Sequence, residues 1–428
     1  MEKIRRDLLI VSFLCLYTLP GYAQRNDTDT HPESGAMVSY GRSAAASMDP
    51  RMNPERRTRF QDPQAPRFRL SDSQGKFTLG IGGNVRSALE YDFHGMVDNL
   101  DFYPSQISVP GTGNYARNNF QLDPTGSSVY VKLLGRTSQL GDFVVYVNTY
   151  FRGSNNTLRM HNAYVSFLGF RAGWDYGLFS DPASSPPNID YKGPAGQVNY
   201  RTNLLYYTYT FSSRWSAGLG VEIPSVSATT DDYLAVSTQR APNVPAFVQY
   251  SWNAKSHFRV AGVLRPMTYS SDLYEKAYTE TGWGIQASTV FTTIRKWKAF
   301  GQVTYGEGIG NFINDLSTQS LDLVPHAGEE GKMQVLPMLG WYAGLQYNLS
   351  PVVFVSSTYS QSRVYGRNGY PATDSALYRY GQYLAANMFW NINSNMLGGV
   401  EYLRGWKTGF DATTYTANRL SLLVQYSF

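Results

Sequence analysis

Arginines and carboxylates recur along this chain on one face of alternating runs, where their chemistry is electrostatic rather than covalent. Over residues 77–93, Leu89, Tyr91 and Phe93 share one parity while Arg86, Glu90 and Asp92 share the other. Asp142 and Arg152 oppose Phe143, Val145 and Val147. Arg171 and Asp175 oppose Ala172, Trp174, Tyr176 and Leu178, and Arg259 and Arg265 oppose Phe258, Val260 and Leu264. Arg363 reads with Ser357 and Gln361 against Val352 and Phe354, and Glu401 against Val400 and Tyr402. Arg159 and His161 share a parity with Val165 and break the pattern. A guanidinium keeps its charge at any working pH and offers forked donors matched to a carboxylate. Two readings of these charges are open. They wet a lumen in a general way, or they form a constriction with arginine on one wall and carboxylates on the other, whose transverse field orients dipolar solutes. Arginine outnumbers acid on these faces, which favours anions modestly.

Covalent chemistry has little support. Gly80-Ile81-Gly82-Gly83 is followed by no helical period, so it reads as strand glycines and not as a nucleotide loop. The five histidines form no recognisable set with a serine elbow. The single cysteine, Cys15, falls in the leader described below. Asp322, His326, Glu329 and Glu330 cluster in one loop, and a solvated acidic loop is preferred there to a Ca²⁺ site. We expect no enzyme, no cofactor, no metal and no nucleic-acid partner.

Residues that must alternate between water and an apolar surroundings need strands, whose side chains change face at every step. A charge turned toward lipid at mid-membrane costs about 2–4 kcal/mol, so the charged parity belongs inside. Composition agrees. Aromatic residues make up 15% of the chain, with 33 Tyr, 22 Phe and 8 Trp, and charged residues only 16%, where a soluble domain carries roughly 25%. No apolar run after the leader is long enough for a spanning helix. The expected architecture is all-β, a transmembrane antiparallel barrel of about sixteen strands over residues 77–428. Long connections at 95–115, 180–202, 227–243, 307–334 and 366–378 alternate with short ones, as extracellular loops alternate with periplasmic turns.

The ends complete this reading. From Leu420 to Phe428 every second residue is apolar, and a final strand closing on Tyr426 and Phe428 resembles bacterial outer-membrane barrels, in which such a strand is the signal read by the barrel assembly machinery. Lys3, Arg5 and Arg6 precede an apolar stretch from Leu8 to Leu19 and the small residues Gly21 and Ala23, so residues 1–23 are expected to be a signal peptide. Residues 24–76 are rich in Pro and Arg without an apolar period, and are expected to be a disordered or extended periplasmic arm.

Two blocks carry a closer likeness. Leu158-Arg159-Met160-His161-Asn162-Ala163-Tyr164 is followed by Ala172-Gly173-Trp174, Phe179 and Asp181. Ile189-Asp190-Tyr191-Lys192-Gly193-Pro194-Ala195-Gly196 is followed by Arg201 and Tyr206. Together they resemble the DcaP-like porins, outer-membrane barrels of Gram-negative bacteria linked to uptake of dicarboxylates and related small anions. The resemblance implies that the third loop folds inward and narrows the pore, which assigns Ile189, Asp190, Tyr191 and Lys192 to a constriction and adds Arg201 to the pore-lining set. It also implies a homotrimer in a bilayer with lipopolysaccharide. The chain departs from the family in its N-terminal segment, which has no heptads, and at His161, where the family more often has a second Arg. The expected function is a diffusion channel for small hydrophilic solutes, anions such as dicarboxylates among them. A structural or adhesive barrel that binds an external partner through its long loops is the alternative.

Overall fold

In a computed structural model of the chain, residues 37–40, 52, 59–63, 65–95, 97, 100–113, 115–293, 296–371 and 376–428 are described. The expected signal peptide lies outside them. Sixteen antiparallel strands close into a barrel. They are β1 (Phe77–Asp92), β2 (two segments, Asn119–Asp123 and Ser128–Thr137), β3 (Gly141–Tyr150), β4 (Arg159–Phe167), β5 (Phe170–Tyr176), β6 (Arg201–Thr210), β7 (Trp215–Glu222) and β8 (Val244–Asn253). Then follow β9 (Ser256–Ser271), β10 (Lys276–Thr292), β11 (Trp297–Glu307), β12 (Pro337–Asn348), β13 (Val353–Val364), β14 (Tyr378–Asn391), β15 (Met396–Gly409) and β16 (Thr414–Ser427). Each pairs with its sequence neighbour, and β16 returns to β1 in register from Arg419 opposite Asp92 to Ser427 opposite Asn84. Closure satisfies the backbone groups of every strand within the wall, which a bilayer requires. No described helix is long and apolar enough to cross a membrane.

The alternation read from sequence holds for β1, β3, β9 and β15. Arg86, Glu90, Asp92, Arg259, Arg265 and Glu401 are buried inside, and Val85, Val147, Phe258, Val260, Leu264 and Tyr402 are exposed outside. In β4 the anomaly has a local cause. Asn148 pairs with Asn162 and Thr149 with Met160, which leaves His161 as the extra residue of a bulge. A bulge reverses which parity faces inward, so both His161 and Asn162 are buried.

Two expectations fail. In β13 the inward residues are Ser356, Thr358, Ser360 and Ser362, which are buried, so Ser357, Gln361 and Arg363 lie on the outer face. The reason is occupancy of the lumen beside them: small hydroxyl side chains leave room for loop backbone that a Gln or Arg would exclude. Arg363 instead sits 5.2 Å and 5.3 Å from the rings of Tyr365 and Tyr380. Tyr176 and Leu178 also turn inward, to 6% and 0% exposure, because β5 ends at Tyr176 and the chain bends into the barrel.

The core sits within that barrel and is built largely by loops. Phe179, Val198 and Tyr200 pack with Ile309, Phe312, Ile313, Leu316 and Leu321. Phe102 and Ile107 pack with Ala195, Tyr383 and Leu403. Before β1, Phe68–Ser71 pairs with Thr78–Ile81 along the part of β1 that β16 does not reach, and Met37–Tyr40 pairs with it in turn.

Candidate functional site

The loop between β5 and β6, residues 177–200, is held inside the lumen by wall side chains. Glu401 accepts the backbone N–H groups of Ile189 at 2.9 Å and Asp190 at 2.7 Å. Arg86 donates to the Ile189 carbonyl and Arg259 to the Leu178 carbonyl. His257 and Ser288 reach Asp181 at 2.8 Å and 2.6 Å, and Ser184 meets the Tyr342 hydroxyl at 2.7 Å. Gly196 donates to Ser360 at 2.8 Å. A Cβ there would strike the backbone of Trp341 and Gln361, so only glycine permits this approach of loop to wall.

Other loops brace this one. Asp190 accepts the N–H of Phe102 at 3.2 Å and of Gly193 at 3.2 Å, and the Tyr383 hydroxyl at 3.1 Å. Burial pushes its carboxyl up to about 6; the neighbouring Asp101 adds to this and Arg419 opposes it. Burial also acts to raise Asp181, but His257 and Arg259 outweigh it and hold that carboxyl well below the usual range. Asp322 takes a forked ion pair from Arg265 at 2.9 Å and 3.1 Å. That engagement removes it from the acidic cluster considered for Ca²⁺.

These loops fill the side of the barrel facing β9 to β15 and leave space along β2 to β7. A cavity of about 720 Å³ is lined there by Arg59, Asp101, Tyr150, Arg152, Arg159, Trp174, Tyr191, Lys192, Arg201 and Asn203, among others. A second, of about 510 Å³, follows the opposite ends of β3 to β9 and includes Asp142, Arg171, Tyr206, Arg214 and Arg259. Among the described residues, five cationic side chains, Arg59, Arg152, Arg159, Lys192 and Arg201, line the first cavity against one carboxylate, Asp101. Arg152 bridges Asp101 and Asp123 at 2.5 Å each and lies 4.3 Å from the centre of the Tyr191 ring. That ring is stacked 5.9 Å from Tyr150. Arg201 donates to the Tyr176 hydroxyl and to His161 at 2.6 Å. The Nε atoms of Arg59, Arg152 and Arg201 are buried without a partner among the described residues. Burial lowers Lys192 to about 8, with Arg59 and Arg201 acting in the same direction against Asp101.

The residues expected to line a pore therefore divide. Arg152, Arg159 and Arg201 meet at the larger cavity with Tyr191 and Lys192. Arg171 pairs with Asp175 at 2.6 Å, below them. Glu90 is buried against Arg419 at 3.1 Å. Arg86 and Arg265 hold loop groups, Arg259 holds one and also lines the second cavity, and Arg363 is outside. Ile189 and Asp190 anchor the loop, while Tyr191 and Lys192 reach the cavity. Tyr426 is exposed on the outer face, and the Phe428 backbone exchanges two hydrogen bonds with Gly83 at 3.0 Å. Sequence reasoning missed Arg59 as a site residue, and the apolar set Ile309, Phe312, Ile313 and Leu316. Those apolar residues inside a presumed surface loop were the available signal.

A family model for a porin subfamily matches residues 115–414. No curated protein matches. Among solved structures, the fold is similar to the outer membrane channel DcaP of Acinetobacter baumannii, with a TM-score of 0.72 at 18% identity over 83% of this chain and 99% of that one. It is also similar to an anion-selective porin from Comamonas acidovorans, with a TM-score of 0.53 at 12% identity over 82% of this chain and 100% of that one. OmpT of Vibrio cholerae gives 0.52 at 10% identity over 82% and 98%. With a closed sixteen-stranded wall and a water-accessible cavity beside an inner loop, the chain belongs to the porin subfamily and is a channel-forming barrel of the Gram-negative outer membrane.

Proposed function

We propose that this porin passes small anions, dicarboxylates among them. The observation that carries the reading is the cavity lined, among the described residues, by five cationic side chains against one carboxylate, which is paired with one of them, Arg152. Cationic groups gathered beside Tyr150 and Tyr191 attract a carboxylate by charge. The anion-selective porin from Comamonas acidovorans and the DcaP channel share the fold and lend the reading support by analogy only.

An adhesive barrel needs loops turned outward. Here Ile189 and Phe102 are buried within the wall, which favours a channel. The deciding experiment is single-channel recording in a planar bilayer across a KCl gradient, with succinate added as a blocker. Reversal on the anion side and concentration-dependent block are expected. Cation preference with no response to succinate overturns the assignment.

A further inference from the structure

We propose that the part of the N-terminal arm around residues 59–63 is a resident part of the pore, set into the lumen beneath the inner loop, where it narrows the passage and supplies Arg59 to the anion site. The role of Arg59 in selectivity rests on the anion reading above; the narrowing does not.

The path of the arm follows from named contacts. Phe68–Ser71 lies along the lower edge of β1. Arg67 donates to the carbonyl of Ser394, in the turn between β14 and β15, at 3.0 Å. The chain then bends inward. A Cβ on Gly80, whose face is the lumen, would meet Pro66 at 2.6 Å and the Met52 sulfur at 3.2 Å. Phe60 stands edge-on to Phe389 at 4.8 Å and Phe354 at 6.0 Å, within a cluster that includes Ala88, Ile189 and Leu423. Ala88, Phe389 and Leu423 belong to the inner faces of three separate strands, so Phe60 is inside the barrel.

The arm also completes the loop above it. Arg59 donates to the carbonyls of Tyr191 at 3.0 Å and Lys192 at 3.1 Å. Gln61 donates to those of Asn188 at 3.1 Å and Asp190 at 3.4 Å. Arg59 and Gln61 are 6% and 5% exposed. Buried carbonyls need a donor; the arm provides one for Asn188, Asp190 and Tyr191, and shares Lys192 with Asn314, which donates to it at 3.0 Å. Asp62 accepts the Arg59 N–H at 2.7 Å. Burial pushes the Asp62 carboxyl up, and Arg201 and Arg59 pull against it. A segment attached by side chains to loop carbonyls and by one aromatic ring to the wall blocks part of the lumen cross-section and places one more guanidinium at the cavity.

The test uses the full chain in planar bilayers. Phe60→Ala with Gln61→Ala should free the arm and raise single-channel conductance at least about two-fold, as widening a constriction does. Arg59→Gln should weaken succinate block and shift reversal toward cations with a smaller change in conductance. Unchanged conductance in the double variant overturns the narrowing. Unchanged selectivity in Arg59→Gln, in a pore whose wild type is anion-selective, overturns the role of Arg59 alone. A cation-selective wild type refutes the anion reading and leaves the conductance test standing. Should the double variant fail to fold, thiol labelling decides the same question. Gln61→Cys should react with a bulky, charged maleimide at least about ten-fold more slowly than Ser73→Cys, at an exposed position, since labelling waits for local opening. Equal rates overturn the placement of the arm.

Discussion

The guanidinium of Arg201 lies 2.6 Å from Nε2 of His161. This nitrogen is therefore the acceptor, and the ring proton sits on Nδ1, which meets Asn162 Oδ1 at 2.6 Å. The bulge in β4 that turns His161 inward thus aims Arg201 at the cavity without removing its charge.

The first prediction follows from that pair. Arg159→Gln with Arg201→Gln should move the reversal potential toward cations in low salt. Each charge is worth about 1 kcal/mol in a wet, screened lumen. The shift should shrink at about 1 M salt, where the Debye length is roughly 3 Å. Reversal potentials at both salt concentrations check it, and a shift that persists undiminished at high salt speaks against a surface-charge origin.

Arg86 and Arg259 make a contrasting case. Both donate to carbonyls of the inner loop, as Glu401 accepts its N–H groups. Glu401→Ala leaves two buried donors, those of Ile189 and Asp190, without their acceptor, at about 1–3 kcal/mol each. The barrel ladder is independent of that contact, so the variant should assemble, show noisier open-channel current and lose its folded gel mobility at a lower temperature. A quiet channel with wild-type thermal behaviour would mean that the loop tip is held elsewhere.

Lys192 supplies a pH dependence. Its ammonium, lowered mainly by burial to about 8, is charged at pH 7 and neutral by about pH 9, so the cavity loses a cation as pH rises. Anion preference should decline across that interval. Lys192→Arg should abolish the decline, because Arg stays protonated throughout. If the Arg variant titrates like the wild type, another group is responsible.

The seam between β16 and β1 carries a buried forked ion pair, Arg419 to Asp92 at 2.7 Å and 2.9 Å. A closed ladder resists detergent until heated. Unboiled protein should therefore run faster on a gel than boiled protein. Arg419→Gln leaves Asp92 and Glu90 uncompensated, at about 3–5 kcal/mol, and should lower the temperature of that mobility change by several degrees. Equal mobility in both lanes counts against a closed barrel in the purified protein.

Period-two alternation, aromatic content and unequal connections already specified a closed barrel of sixteen strands, because facing water on one side and lipid on the other constrains every residue of a strand. They also placed Arg86, Glu90, Asp175, Arg259 and Arg265 inside. Which of these would face solute was decided by tertiary structure alone. The carbonyls that Arg86 and Arg259 serve belong to a loop about 100 and 80 residues away in sequence, and nothing local marks them. The serines of β13 face inward because loop backbone lies against them, so hydrophobic parity misassigned Arg363. Residues 59–63 carry no apolar period that would mark their contacts. Single residues such as Phe60 and Gln61 meet their partners, Phe389 and Asn188, across more than 120 residues of sequence.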